Sequence, residues 1–326
     1  MSKVVLIIGA GQLGSRHLQG ILKLKETLEI YVVDPSMDSL AIAQERGKEI
    51  SGNSHRILFT TNWADIPHKI DISIIATGAN VREKIVIDLL KGYEVRYLVL
   101  EKILFQNLKA YENVRQLIQD LDVKTWVNHP RRMFSHFKEI KEQLKPKTNA
   151  IFFSAIGANW GLGCNGLHFL DLFSYLAESE VESIDGLWIN DELYESKRKG
   201  YFEFTGSLKG KFKNGHTFQI ASFNGDPGPV TINISDKDNR WFIQEGVNTN
   251  IVHLNIDNAF KMDVSSSTMS FQSSLTEDLV RNILLNGGCD LPTYVEAAAS
   301  HIPFLDIMLR KYIELSGVKT DSCPIT

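Results

Sequence analysis

The sequence predicts an α/β fold: a doubly wound parallel sheet, then an α+β domain on a large, mostly antiparallel open sheet. Three observations carry this. Strand and helix patterns alternate through about the first 130 of 326 residues, as parallel sheets with helical crossovers require. The strands there are continuous apolar runs, which suits a sheet covered on both faces. After about residue 122 the pattern changes, and from 201 to 246 several strands follow one another with no helix between them.

The first strand is KVVLIIG (3–9), followed by a helical pattern near 13–26. Strands then come at EIYVVD (29–34), RILFT (56–60), DISIIAT (71–77), YLVLEK (97–102) and KTWVN (124–128). Helical spacing fills 37–49, 81–92 and 106–121 between them. Beyond lie a helix at 134–144, a strand at 150–160 and a helix at 166–178. Strands at 201–212, 216–223, 229–235 and 240–246 form the second sheet, with Asn214-Gly215 as a hairpin turn. Helical segments at 275–285 and 293–315 close the chain. The expected domains are 1–122 and 123–326, the last helix free to pack back on the first domain.

Composition narrows the partners. A net charge of -4 without a basic block argues against nucleic acid. No stretch approaches the ~20 apolar residues that span a bilayer, and the amino-terminal apolar run lacks a signal peptide's form. The three cysteines, Cys164, Cys289 and Cys323, are far apart and have no metal spacing. A reducing cytoplasm and no metal are the expectation.

The stretch GAGQLGSRH (9–17) follows the first strand and opens a helix. In Gly9-x-Gly11-x-x-Gly14, the first glycine permits a tight turn. The second lets a pyrophosphate approach the backbone, and the third lets helix and strand pack closely. The helix amino end offers N–H groups and a positive dipole to phosphate. Asp34 ends the second strand, where an acid accepts the adenosine ribose hydroxyls. An acid there repels a 2′-phosphate, so NAD is favoured over NADP.

With GAGQLG (9–14), IIATGAN (74–80), EKIL (101–104), GLHFLDL (166–172) and LPTYVEAAASHIPFLDIML (291–309), the chain resembles the Gfo/Idh/MocA family across nearly its full length. That is the glucose–fructose oxidoreductase/inositol dehydrogenase family. The resemblance implies a Rossmann domain followed by an open-sheet domain that in many members mediates oligomerisation, here a homodimer or homotetramer. It implies hydride transfer between a nicotinamide and an alcohol or ketone of a sugar, cyclitol or related small molecule. Gly9, Gly11, Gln12, Leu13, Gly14, Asp34, Thr77, Gly78, Asn80, Glu101 and Lys102 would bind the cofactor. Lys102 matches the active-site lysine of the family's EKP motif, where an ammonium polarises a carbonyl or stabilises an alkoxide.

His168 and Asp171 match the last two positions of the family's Asp-x-x-x-His-x-x-Asp signature. They share a helix face, and histidine suits proton exchange near neutral pH. Asp171, Cys164, Asn165, Arg131 and Arg132 would meet the substrate. For the two arginines, a guanidinium fork on a substrate anion and a salt bridge within the protein are equal accounts. Trp160 reads as packed. Three positions depart from the family: Cys164 replaces the first signature aspartate, Ile103 the EKP proline, and Arg82 a histidine common after the ATPN-like turn. Cys164 leaves a second reading open, a dinucleotide-binding sensor or regulator of the same fold without catalysis.

Overall fold

The computed structural model describes residues 2–52, 54–144 and 149–326. The chain divides into two compact units. The first holds Met1–Phe105, Lys109–Pro130 and Ser270–Val295; the second holds Gln106–Leu108, Arg131–Met269 and Glu296–Thr326.

The first unit begins β1 (Lys3–Ile8), α1 (Gln12–Ile21), β2 (Leu28–Val33), α2 (Met37–Lys48) and β3 (Arg56–Thr60). It continues β4 (Lys69–Ile75), α3 (Ala79–Gly92), β5 (Glu94–Leu100), α4 (Leu108–Asp120) and β6 (Lys124–Val127). The six strands are parallel in the order β3-β2-β1-β4-β5-β6. Val5, Leu6, Ile7, Ile72, Ile74, Leu98 and Val99 have no exposed surface, as a sheet covered on both faces demands. The winding reverses between β1 and β4, and such sheets bind ligands in the crevice beyond the carboxyl ends at that point.

The second unit contains α5 (Ser135–Gln143), β7 (Phe152–Ala158), α6 (Leu162–Ala177), β8 (Val181–Glu195), β9 (Phe202–Phe212) and β10 (Thr217–Phe223). It continues β11 (Val230–Ser235), β12 (Asn239–Glu245), β13 (Asn248–Asn255) and β14 (Met262–Thr268). Two helices follow, α7 (Gln272–Asn286) and α8 (Tyr294–Ser316). The eight strands run β14-β13-β12-β11-β7-β10-β9-β8, antiparallel except for β7 beside β10. At the β9–β10 hairpin Gly215 takes φ +91°, and Phe212 both donates to His216 and accepts from Gly215 at 2.8 Å.

One sheet face carries α6, where Phe153 stacks on Phe173 with centroids 5.2 Å apart. The alternate positions Phe152, Ile156, Phe223 and Phe242 are exposed. Three strands escape the hydrophobic pattern. β8 is an edge strand broken by register shifts at 181–183, 185–188 and 189–193. β14, MDVSSST, is polar and exposed at the other edge, so no buried face imposes alternation on it. β13, NTNIVHLN, shows alternation over too few residues to stand out beside it.

Helix α7 joins the first unit, so a single cut at 122 does not describe the compact units. Gly20 makes room for it on α1: a Cβ there would lie 2.4 Å from the Ser273 carbonyl oxygen and 2.7 Å from Thr276 Cβ. The Val127 N–H donates to Pro292 at 3.0 Å, extending β6 toward this returning segment. Among the described residues no helix is long and apolar enough to cross a membrane.

Candidate functional site

The glycine loop sits at the switch point of the first unit. Gly9 adopts φ +96°, and a Cβ on it would press the Ala76 backbone at 3.0 Å. A Cβ on Gly14 would fall 1.7 Å from the Gly9 carbonyl oxygen. Gly11 differs, because a Cβ there would meet nothing within 4 Å. The loop thus leaves open space beside Gly11, and no side chain caps the amino end of α1. Two buried acceptors, Thr77 Oγ1 after β4 and Asn128 Oδ1 after β6, lack a hydrogen-bond partner among the described residues. Open backbone, uncapped N–H groups and unused acceptors at the carboxyl ends fit a dinucleotide.

Asp34 accepts from the Ala10 N–H at 2.7 Å and from the Ser36 N–H at 2.8 Å. It thereby ties the glycine loop to the end of β2, and each oxygen keeps a lone pair for a ribose hydroxyl. Gln12 is exposed and accepts from Arg46 at 2.6 Å. Leu13, Thr77 and Gly78 are half-buried, and Asn80 is exposed at the start of α3. Gly14→Ala is expected to cost about 1–3 kcal/mol or more from overpacking. It should also weaken NADH binding, both checked by thermal unfolding and calorimetric titration.

Glu101 and Lys102 follow β5. The Glu101 carboxylate is buried and hydrogen-bonded within the chain. It pairs with His17 Nε2 at 2.8 Å and accepts from Asn128 Nδ2 at 2.7 Å. Burial opposes its charge, but His17, Asn128 and Arg82 outweigh burial and hold its carboxyl below the usual range. The resulting stability is present above the ordinary carboxylate pKa and is lost as pH falls through the folded value.

Lys102 is half-buried, and the Lys102–Ile103 peptide is cis. The Arg82 side chain, 2% exposed on α3, donates to the carbonyls of Thr77 and Ile103 and, at 3.0 Å, of Leu104. The family's histidine position is thus filled here by a guanidinium that holds the loop after Lys102. A groove of about 720 Å3 opens at the opposite, amino ends of β1, β4 and β5, lined by Lys3, Lys69, Asp71 and Arg96 among others. It contains none of the glycine-loop or strand-end residues.

In the second unit, α6 begins at Gly161 in the left-handed region, φ +82°. The Glu203 carboxylate of β9 accepts from the N–H groups of Gly163 at 2.8 Å and Cys164 at 3.0 Å. An acid therefore stands at the positive end of this helix, as dipole and unpaired N–H groups favour. Sequence reasoning misses Glu203, which lies about 40 residues from the helix it caps. Cys164 and Asn165 are half-buried in the first turn, and Asn165 donates to the Trp160 carbonyl at 2.6 Å. Trp160 is packed edge-on against Phe169 and donates to Ala221 at 2.9 Å. His168 is half-buried one turn further along.

Asp171, Arg131 and Arg132 are each paired within the second unit. Arg132 grips Asp171 with both prongs, at 2.9 and 2.7 Å, and Asp171 is 1% exposed. Burial works against the charge of Arg132, but Asp171 and then Glu296 outweigh it and hold its pKa above the ordinary value. Arg131 grips Glu245 at 2.8 and 2.5 Å and lies over the Phe169 ring. Both forks are spent inside the unit, which the one-residue spacing in sequence cannot reveal. Among the described residues no group of three or more His, Cys, Asp or Glu could hold a metal ion.

Residues 3–129 match the sequence model of the Gfo/Idh/MocA group, described as an oxidoreductase family with an NAD-binding Rossmann fold. Among curated proteins, no sequence matches the chain. Solved structures do resemble it. An oxidoreductase from Agrobacterium radiobacter in complex with NAD+, L-tartaric acid and magnesium superposes with TM-score 0.73 at 14% identity, covering 94% of this chain and 95% of that one. The transcriptional regulator Gal80p from Kluyveromyces lactis gives 0.72 at 15% identity, covering 96% and 90%. UDP-N-acetylglucosamine 3-dehydrogenase GnnA from Acidithiobacillus ferrooxidans gives 0.69 at 11%, covering 97% and 99%. At these identities the likeness is one of fold. With the parallel sheet and the glycine loop at its switch point, residues 3–129 form an NAD-binding Rossmann domain similar to that of the Gfo/Idh/MocA oxidoreductase family.

Proposed function

We propose that this protein moves a hydride between NAD and a secondary alcohol or ketone of a sugar, cyclitol or sugar derivative. The observation that carries the reading is a dinucleotide-ready crevice with a half-buried lysine, Lys102, following a strand of the same sheet. Bound NAD supplies a nicotinamide carbon that accepts or gives the hydride. The amino end of α1 and the loop from Gly9 to Gly14 hold the pyrophosphate. Asp34 takes the ribose hydroxyls and favours NAD over NADP. Thr77, Gly78 and Asn80 line the crevice after β4.

Lys102 donates to the reacting oxygen and stabilises negative charge there. His168 accepts the hydroxyl proton at a ring nitrogen as the alcohol carbon loses its hydride, and returns it in the reverse direction. Cys164 and Asn165 meet the substrate in place of the paired acid and arginines. The protein's share of the chemistry is orientation and electrostatics. The structural relative GnnA, named as acting on a nucleotide-linked acetamido sugar, makes that class the first to screen.

A second reading is a dinucleotide-binding regulator without turnover. Cys164 in place of the signature aspartate favours it, and Gal80p, named as a transcriptional regulator, shares the fold. Screening polyols, sugars and sugar nucleotides at the reduced-nicotinamide absorbance band separates the two. Substrate-dependent change supports the oxidoreductase; tight NADH binding with no turnover and a stable protein partner supports the regulator. The exposed Phe152, Ile156, Phe223 and Phe242 support self-association through the open sheet. Phe242→Lys is then expected to shift the sedimenting species toward monomer, whereas a monomeric wild type contradicts self-association.

A further inference from the structure

Five buried or half-buried side chains of the first unit form a closed hydrogen-bond ring. His17 Nε2 meets Glu101 at 2.8 Å, and His17 Nδ1 meets Thr276 Oγ1 at 2.8 Å. Gln272 Nε2 donates to Thr276 Oγ1 at 3.1 Å. Asn128 Nδ2 donates to Gln272 Oε1 at 3.1 Å and to Glu101 Oε1 at 2.7 Å, closing the circuit. The ring joins α1, the end of β5, the end of β6 and α7. Gly20, one turn beyond His17, is what lets α7 come close enough to contribute two members.

With the ring N–H on Nε2, His17 donates to Glu101 and accepts from the Thr276 hydroxyl, which in turn accepts from Gln272, so donors and acceptors alternate consistently around the circuit.

Lys102 lies between two clamps. The side chain of residue 101 is held by the ring, and the carbonyls of residues 103 and 104 are held by Arg82. We propose that the ring is a positioning device: His17, Asn128, Gln272 and Thr276 act through Glu101 to set Lys102 relative to the helix whose amino end holds the dinucleotide. The proposal rests on Lys102 being the oxygen-facing lysine of the oxidoreductase reading. It adds His17 and Thr276, residues far from Lys102 in sequence, to what that lysine needs.

The test opens the ring at its side farthest from Glu101, with Thr276→Val against Thr276→Ser in the full chain. Thr276→Val keeps shape and removes the hydroxyl; Thr276→Ser keeps the hydroxyl. Lys102 reactivity is read by limiting acetylation and mass spectrometry, with exposed Lys237 as the internal reference. Thr276→Val and His17→Asn should raise Lys102 acetylation about threefold or more through local opening, while Thr276→Ser stays at the wild-type rate. With a substrate in hand, kcat should fall about tenfold or more, within the ~10²-fold that a 1 Å misplacement can cost, at unchanged KM and NADH affinity.

Lys102 reactivity that is unchanged or reduced in Thr276→Val overturns the positioning role. A wild type without turnover whose Lys102 reactivity still follows the ring overturns the oxidoreductase reading and leaves the positioning role standing.

Discussion

Replacing Arg132 with methionine is expected to destabilise the protein by about 3–5 kcal/mol, the usual cost of removing one member of a buried ion pair. The size follows from Asp171, which is 1% exposed and has both oxygens on Arg132. Burial already pushes the Asp171 carboxyl up against the opposing pull of Arg132, and without the guanidinium that push is no longer opposed by it. A folded pKa raised above the unfolded one gives stability that is full below the unfolded pKa and lost as pH rises through the folded value. The variant should therefore unfold more easily at neutral pH than at mildly acidic pH. Chemical denaturation across that range checks it. Arg132→Met with Asp171→Leu should recover most of the loss, since an apolar pair often replaces a buried ion pair without penalty. Equal losses at every pH would show that Asp171 is not the group left stranded.

Lys102→Met should lower turnover about 10²–10³-fold, the range for removing a donor to a developing oxyanion. NADH affinity should stay near wild type, because the pyrophosphate and ribose are held by the glycine loop and Asp34. His168→Asn should cost about 10²–10⁴-fold, the span of general acid–base catalysis. Its loss should soften with substrates that carry an easily removed proton, whereas Lys102→Met should not discriminate among them. Steady-state kinetics with parallel fluorescence titration of NADH separate the effects. Turnover unchanged in both variants removes the catalytic assignment.

The parallel sheet was legible because its strands are buried on both faces and its crossovers have helical spacing. The glycine loop was legible because close packing at Gly14 and a positive φ at Gly9 leave glycine almost no substitute. Edge strands β8 and β14 were not, since no buried face imposes alternation on them. The arginine forks were unreadable for another reason. Arg132 and Asp171 are 39 residues apart, and Arg131 and Glu245 are 114 apart. A guanidinium suits a substrate anion and an internal carboxylate equally well, and only folding decides between them.

His17 offered a faint signal. It follows Gly14 by three residues and precedes Gly20 by three, so it shares their helix face, which is turned inward. A histidine on a buried face needs partners, but nothing local says that they are Glu101 and Thr276. Cys164 kept its ambiguity for a related reason: the carboxylate at the start of α6 comes from Glu203 on a distant strand.

The central claim is hydride transfer, and isotope transfer tests it most directly. NADH carrying deuterium at both nicotinamide C4 positions would be incubated with a keto-sugar substrate found by the absorbance screen. The account predicts one deuterium at the new carbinol carbon with wild type and almost none with Lys102→Met, although both bind NADH. A product formed without deuterium, or equal transfer by wild type and Lys102→Met, would contradict it.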